Sequence, residues 1–238
     1  MTGLTEKTAF VTGGSKGIGY GIAAALVQQG MNVAISSRSE EAAKTAAAQL
    51  NKIGGGNAIG FGSDVRSLEA QEQCVQQILH TWGRLDVVVA NAGVGHFGSI
   101  ETLTPAQWHE TMDINLSGVF NTVKAALEAL KSSQGYLITV ASLAGTNFFA
   151  GGAAYNASKF GLVGFSQAVM LDLRKFGIKV TTIMPGSVAT YFNDHVPGPG
   201  DEWKIQIEDI GQIVVDLLNM HPRTLPSKIE VRPTQPPK

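Results

Sequence analysis

Hydrophobic positions fall along the chain in two alternating patterns. Short runs at residues 8–11, 33–36, 58–61, 87–90, 137–140 and 180–183 are apolar on both faces, which predicts buried strands of a parallel sheet. Between them, apolar residues recur at helical spacing over about 18–29, 40–52, 67–81, 105–131 and 157–175. A helix near 207–219 and a short strand near 228–232 end the pattern. Such alternation builds right-handed βαβ units, hence a parallel sheet with helices on both faces. Thr104-Pro105-Ala106-Gln107 is a strong helix start, with a capping hydroxyl, proline at the first helical position and glutamine at the third. No repeat or long linker divides the chain. One domain over 1–238 is expected, ending in a proline-rich tail at 233–238.

Composition narrows the class. Apolar residues are 44% of 238, enough for a sizeable core, and this excludes disorder. Charged residues are 16% against a norm of about 25%, so surface is expected to be hidden in a thick core or between subunits. A formal charge of −1 offers no basic excess for phosphate backbones, and no nucleic-acid partner is expected. Cys74, the single cysteine, can form neither an internal disulfide nor a structural zinc site; no metal is expected, and a reducing, cytoplasmic location fits. Residues 1–7 lack the apolar core of a secretion signal. Residues 132–158 are uncharged and long enough to cross a bilayer, but Gly135, Gly145, Gly151, Gly152 and many polar side chains favour a buried strand and loop. No membrane partner is expected.

Candidate chemistry begins at Thr12-Gly13-Gly14-Ser15-Lys16-Gly17-Ile18-Gly19, between the first strand and first helix. A tight glycine turn there lets backbone and helix N–H groups approach a pyrophosphate. Thr-Gly-x-x-x-Gly-Ile-Gly resembles the signature of the short-chain dehydrogenase/reductase family, and further matches follow in the family's order. These are Asn91-Ala92-Gly93 after the fourth strand, Asn115 in the long helix, Ser142 after the fifth strand, Tyr155 and Lys159 in Tyr-x3-Lys, and Pro185-Gly186 after the sixth. The resemblance runs from Thr8 to about Ile229. It implies a Rossmann-type, doubly wound, mainly parallel seven-stranded sheet and a dinucleotide cofactor.

The end of the second strand faces the adenosine ribose in dinucleotide folds. Here Ser36-Ser37-Arg38 carries no carboxylate to repel a 2′-phosphate, and the Arg38 fork suits one. Lys16 adds a second cation, as in similar proteins that use NADP, so NADP(H) is the expected cofactor. The resemblance extends the cofactor set to Ser15, Ile18, Ser37, Val65 and Val188. Asp64 either contacts the adenine amino group or supports the turn before Ser67. Asn91-Ala92-Gly93 lies against the cofactor ribose or forms an ordinary strand exit.

Residues four apart share a helix face, so Tyr155 and Lys159 can enter one site. A nearby ammonium favours phenolate, and the expected consequence is a tyrosine pKa lowered toward neutrality, fit to exchange a proton with a carbonyl oxygen. By resemblance Tyr155 is the general acid/base, and Lys159 also binds the nicotinamide ribose. Ser142 hydrogen-bonds the substrate oxygen, and Asn115 holds a water in a proton relay. Taken singly, Ser142 could be a turn hydroxyl, Asn115 a helix side chain bonded to backbone and Lys159 a surface residue.

Pro185-Gly186 covers the nicotinamide in similar proteins, and Thr190 either bonds the carboxamide or caps a loop. Residues 187–205 are the expected substrate lid. Pocket walls are expected from His96, Phe97, Leu143, Phe148, Phe149, Tyr191 and Phe192, favouring an apolar or aromatic carbonyl compound, with His96 either orienting a polar group or simply solvated. Helices 105–131 and 157–175 are apolar around much of their circumference and imply a homodimer or homotetramer. Two departures from the family stand out: Ala90 where many relatives have a second asparagine, and Lys228-Ile229-Glu230-Val231-Arg232-Pro233 without a glycine-rich finish. The favoured activity is NADP(H)-dependent carbonyl reduction or its reverse, a carbonyl reductase. A 3-oxoacyl thioester reductase and a non-catalytic NADP sensor are the alternatives.

Overall fold

The computed structural model describes residues 3–235, so the last three tail residues lie outside it. The first half runs β1 (Thr8–Thr12), α1 (Gly17–Gln28), β2 (Asn32–Ser37), α2 (Glu40–Asn51), β3 (Ala58–Gly62), α3 (Leu68–Trp82) and β4 (Val87–Ala90). The second half runs α4 (Pro105–Met112), α5 (Gly118–Ser133), β5 (Tyr136–Val140), α6 (Ala153–Leu173), β6 (Lys179–Pro185), α7 (Ile207–Asn219) and β7 (Lys228–Val231).

All seven strands join one sheet in the order β3-β2-β1-β4-β5-β6-β7, and every pairing is parallel. Side chains alternate between two cores, as a period of two requires. Val11, Ile35, Val89 and Ile138 face α1, α2 and α7, whereas Phe10, Ala34, Val88 and Leu137 face α3, α5 and α6. This is the doubly wound, Rossmann-type fold. The chain leaves β1 toward β2 on one side and returns beside it as β4, so the crevice at the strand ends opens beyond β1 and β4.

Helix starts follow local chemistry. Ser39 and Ser67 cap α2 and α3, and Thr104 with Gln107 forms the capping box on α4. The expected 105–131 helix is divided by a π turn at Asp113–Ser117, which holds Asn115. The helix expected from 157 begins at Ala153 instead, so Tyr155 lies in its first turn. Gly152 at its cap carries no hydroxyl to mark the start, and the loop before it is fastened by Asn156, whose amide donates to the carbonyls of Ala144 and Asn147 at 2.7 and 2.8 Å. The uncharged 132–158 stretch is the end of α5, buried β5, a loop and the start of α6; among the described residues no helix is long and apolar enough to cross a membrane. Trp108, Phe120, Phe160 and Leu171 stay exposed on α4, α5 and α6.

Candidate active site

The strand ends and the loops after them enclose a cleft of about 770 Å³, within the usual range for small-molecule and cofactor sites. Its floor is the glycine loop. Gly13 has a φ of +65°, and a Cβ there would sit 2.9 Å from the Ala92 Cα. A Cβ on Gly19 would come within 2.4 Å of the Gly13 carbonyl, so helix and turn meet only because residue 19 is glycine. Lys16 at the N-cap offers α1 no side-chain cap, leaving its first N–H groups turned to the cleft without a protein partner of that kind.

Thr12 and Asn91 tie this floor to β4. The Thr12 hydroxyl accepts from the N–H groups of Asn91 and Ala92 at 3.0 and 3.2 Å, and the Asn91 amide donates to the carbonyls of Thr12 and Gly13 at 2.9 and 3.2 Å. Asn91-Ala92-Gly93 therefore steadies the sheet and lines the cleft at once.

At the far end the lining includes Ser36, Ser37, Arg38, Asp64 and Val65. The Ser36 hydroxyl is buried with no hydrogen-bond partner. Asp64 accepts from the Arg66 backbone at 2.9 Å and from its guanidinium, which holds the carboxyl below its ordinary range; it supports its own turn as well as facing the cleft. Asn121 on α5 fastens that turn by donating to the Val65 and Arg66 carbonyls, both at 3.0 Å. An adenosine phosphate fits such a donor set: an orphaned hydroxyl, two cations at Lys16 and Arg38, and glycine surfaces a side chain would fill.

The other end holds Ser142, Tyr155 and Lys159. Lys159 is only 4% exposed; its Nζ donates to the Val140 carbonyl at 3.1 Å and lies 5.7 Å from the Tyr155 ring centre. Burial lowers its pKa to about 8. Desolvation also raises the Tyr155 phenol above its ordinary value, and the Ser142 hydroxyl holds it partly down. The expected acidified phenol is therefore corrected. Removing both groups from water favours the neutral form of each. The Ser142 oxygen also accepts from the Ala144 N–H at 3.1 Å.

Asn115 is fully buried, and both its amide donors and its oxygen are hydrogen-bonded. It accepts from the Val94 N–H at 2.8 Å, and it donates to the Val94 carbonyl at 2.9 Å and the Ser158 hydroxyl at 3.0 Å. The side chain is thus bonded to backbone and to a neighbouring side chain. It stands beside Lys159 nonetheless: a Cβ on Gly93 would be 3.3 Å from the Asn115 Oδ1 and 3.7 Å from the Lys159 Nζ.

Above the cleft, Pro185 ends β6 and the Gly186 N–H donates to Val231 at 2.8 Å. Val188 bridges Ile205, closing the feet of the 187–205 loop. Thr190 accepts from the Phe192 N–H at 3.3 Å, capping the loop, and its side chain comes within 3.5 Å of where a Cβ on Gly17 would stand. Phe97, Phe149 and Phe192 gather at Tyr155: the Phe97 and Phe192 rings lie 5.3 and 5.7 Å from its ring, and Phe149 packs on Phe97. Of the expected wall, His96, Tyr191 and Phe192 line the cleft, whereas Phe97, Leu143, Phe148 and Phe149 do not; Phe148 is 86% exposed, and Leu143 packs on the Gly186 backbone. The sequence did not point to Glu110, Ile114, His195 or Lys204, which also line the cleft, because the fold brings them from α4, the π turn after it and the 187–205 loop.

Residues 7–198 match the model of the short chain dehydrogenase family. An uncharacterised oxidoreductase of Staphylococcus aureus (strain MW2) is 32% identical over 98% of this chain and all of its own length. A 3-oxoacyl-[acyl-carrier-protein] reductase of Synechocystis is 34% identical over 82% of this chain and 80% of its own. An alcohol dehydrogenase of Thermococcus sibiricus, solved with 5-hydroxy-NADP, superposes with a TM-score of 0.91 at 30% identity, covering 98% of this chain and 99% of that one. With sheet order, glycine floor and whole-length likeness in agreement, the chain belongs to the short chain dehydrogenase family.

Proposed function

We propose that this chain is an NADP(H)-dependent oxidoreductase that interconverts a carbonyl group and a secondary alcohol. The observation that carries this reading is one cleft with a phenol, hydroxyl and buried amine at one end and Arg38 and Lys16 at the other. NADP(H) would supply or accept the hydride. Gly13, Ser15, Lys16, Gly17, Ile18 and Gly19 would hold its pyrophosphate, and Ser37, Arg38, Asp64 and Val65 its adenosine end. Asn91, Ala92, Gly93, Lys159, Pro185, Gly186, Val188 and Thr190 would hold its nicotinamide half. The solved Thermococcus relative, with its NADP derivative, supports this choice.

Tyr155, kept protonated by burial, gives its proton to the carbonyl oxygen as an alkoxide develops there. Ser142 donates to the same oxygen and can be worth about 3 kcal/mol of barrier. Lys159, still mostly cationic at neutral pH, offsets the charge left on the phenolate. Asn115 acts as a positioning residue, pinning the Val94 loop beside Lys159.

The aromatic group around Tyr155 favours an apolar or aromatic ketone or aldehyde over a 3-oxoacyl thioester. Lys204 in the lid is neutralised by Asp201 at 2.6 Å, which leaves little charge for an acidic carrier protein. The chain is taken to work as one catalytic domain in the cytoplasm, as a homodimer or homotetramer joined through α4, α5 and α6. The test is NADPH consumption across aldehydes, ketones, diketones and 3-oxoacyl thioesters, repeated with NADH. Tyr155→Phe should abolish turnover while NADPH still binds. Full activity in that variant would reject the mechanism and favour a sensor.

A further inference from the structure

Glu110 lies one turn before Ile114 on the α4 side of the cleft, and both line it. Its carboxylate is held at two points. One oxygen is 2.8 Å from the His96 Nε2, and the other is 3.7 Å from the Arg38 Nη1. His96 comes from the loop after β4 and Arg38 from the end of β2, so the contact ties three elements across the crevice.

The two contacts differ in strength. The His96 bond is short and fixes the carboxylate, whereas the Arg38 pair is long, with Arg38 62% and Glu110 36% exposed. A wet pair of that length is weak, so Arg38 can exchange partners. Asp64, the neighbouring carboxylate, is already engaged by Arg66. Glu110 is thus the carboxylate paired with Arg38, while Asp64 reaches the guanidinium only by a weaker, longer-range attraction.

We propose that Glu110 sets how strongly the cleft distinguishes a 2′-phosphorylated adenosine from a plain one, as an internal competitor for Arg38. A 2′-phosphate must take the guanidinium from Glu110 and bear its repulsion; a ribose hydroxyl need do neither. Arg38 and Lys16 therefore discriminate less with Glu110 present than they would without it. This rests on Arg38 being the group that meets the 2′-phosphate.

The test is calorimetric binding of adenosine 2′,5′-bisphosphate and of AMP to the full chain, Glu110→Gln, Arg38→Ala and the double variant. It needs no turnover. Glu110→Gln should bind the bisphosphate about three- to fivefold more tightly, the worth of an exposed ion pair, with AMP nearly unchanged. The gain should shrink when Arg38 is already alanine. An unchanged or weakened bisphosphate affinity in Glu110→Gln, alongside a normal loss in Arg38→Ala, would overturn the role of Glu110 alone. No loss in Arg38→Ala would overturn the cofactor assignment beneath it.

Discussion

Lys159 is an ammonium taken out of water, and the fold should register the cost. Its pKa falls from 10.5 to about 8 on burial. At about 1.4 kcal/mol for each tenfold change, the folded state disfavours the charged amine by about 3 kcal/mol at neutral pH. Lys159→Met keeps the volume and removes the charge, but it leaves the Val140 carbonyl without this donor, a loss of about 1 kcal/mol. A net gain of about 2 kcal/mol at pH 7 is expected, with turnover lost. The sign of the pH dependence follows from the lowered pKa. The unfolded lysine binds more protons between pH 8 and 10.5, so the wild type regains stability as pH rises through that window. Urea unfolding of both chains at matched protein concentration should show the gap shrink by about 2 kcal/mol between pH 7 and 9.5. A variant less stable at pH 7, or a gap that ignores pH, would refute the reasoning.

Three further outcomes are expected. Thr12→Val leaves the Asn91 and Ala92 N–H groups without their acceptor and should destabilise by about 2 kcal/mol in urea; a change below about 0.5 kcal/mol would remove Thr12 from the floor. Carbonyl reduction should decline above about pH 8 as Lys159 loses its proton, read as kcat/KM from pH 6 to 10, and a flat profile would deny that charge a role. Light scattering at micromolar concentration should report a dimer or tetramer that Phe120→Glu and Leu171→Glu split; a monomeric wild type would reject the interface.

Strands, glycine loop and the nearness of Tyr155 to Lys159 were legible because each is local: a run of apolar residues, a tight turn, a spacing of four on one helix. What escaped the sequence depends on contacts distant along the chain. The start of α6 is fixed by Asn156 reaching back to Ala144 and Asn147, and no capping side chain announces it. The π turn around Asn115 goes with bonds to Val94 and Ser158, 21 and 43 residues away. The Tyr155–Lys159 spacing foretold proximity correctly, but the titration of the pair is ruled by how much water surrounds it, which only the assembled cleft decides. Phe148 and Phe149 are identical as letters, yet one points to solvent and its neighbour joins the aromatic cluster.

The clasp between Val188 and Ile205 gives the 187–205 loop a life of its own. Because its two feet are already fixed to each other, the entropy of closing it grows only slowly with added length, about 0.6 kcal/mol per doubling. Residues between the feet can be lengthened, shortened or exchanged as a cassette while the sheet beneath keeps its register. On the proposed reading, new substrate ranges would be reachable by rewriting this loop, with Ser142, Tyr155 and Lys159 left as they stand.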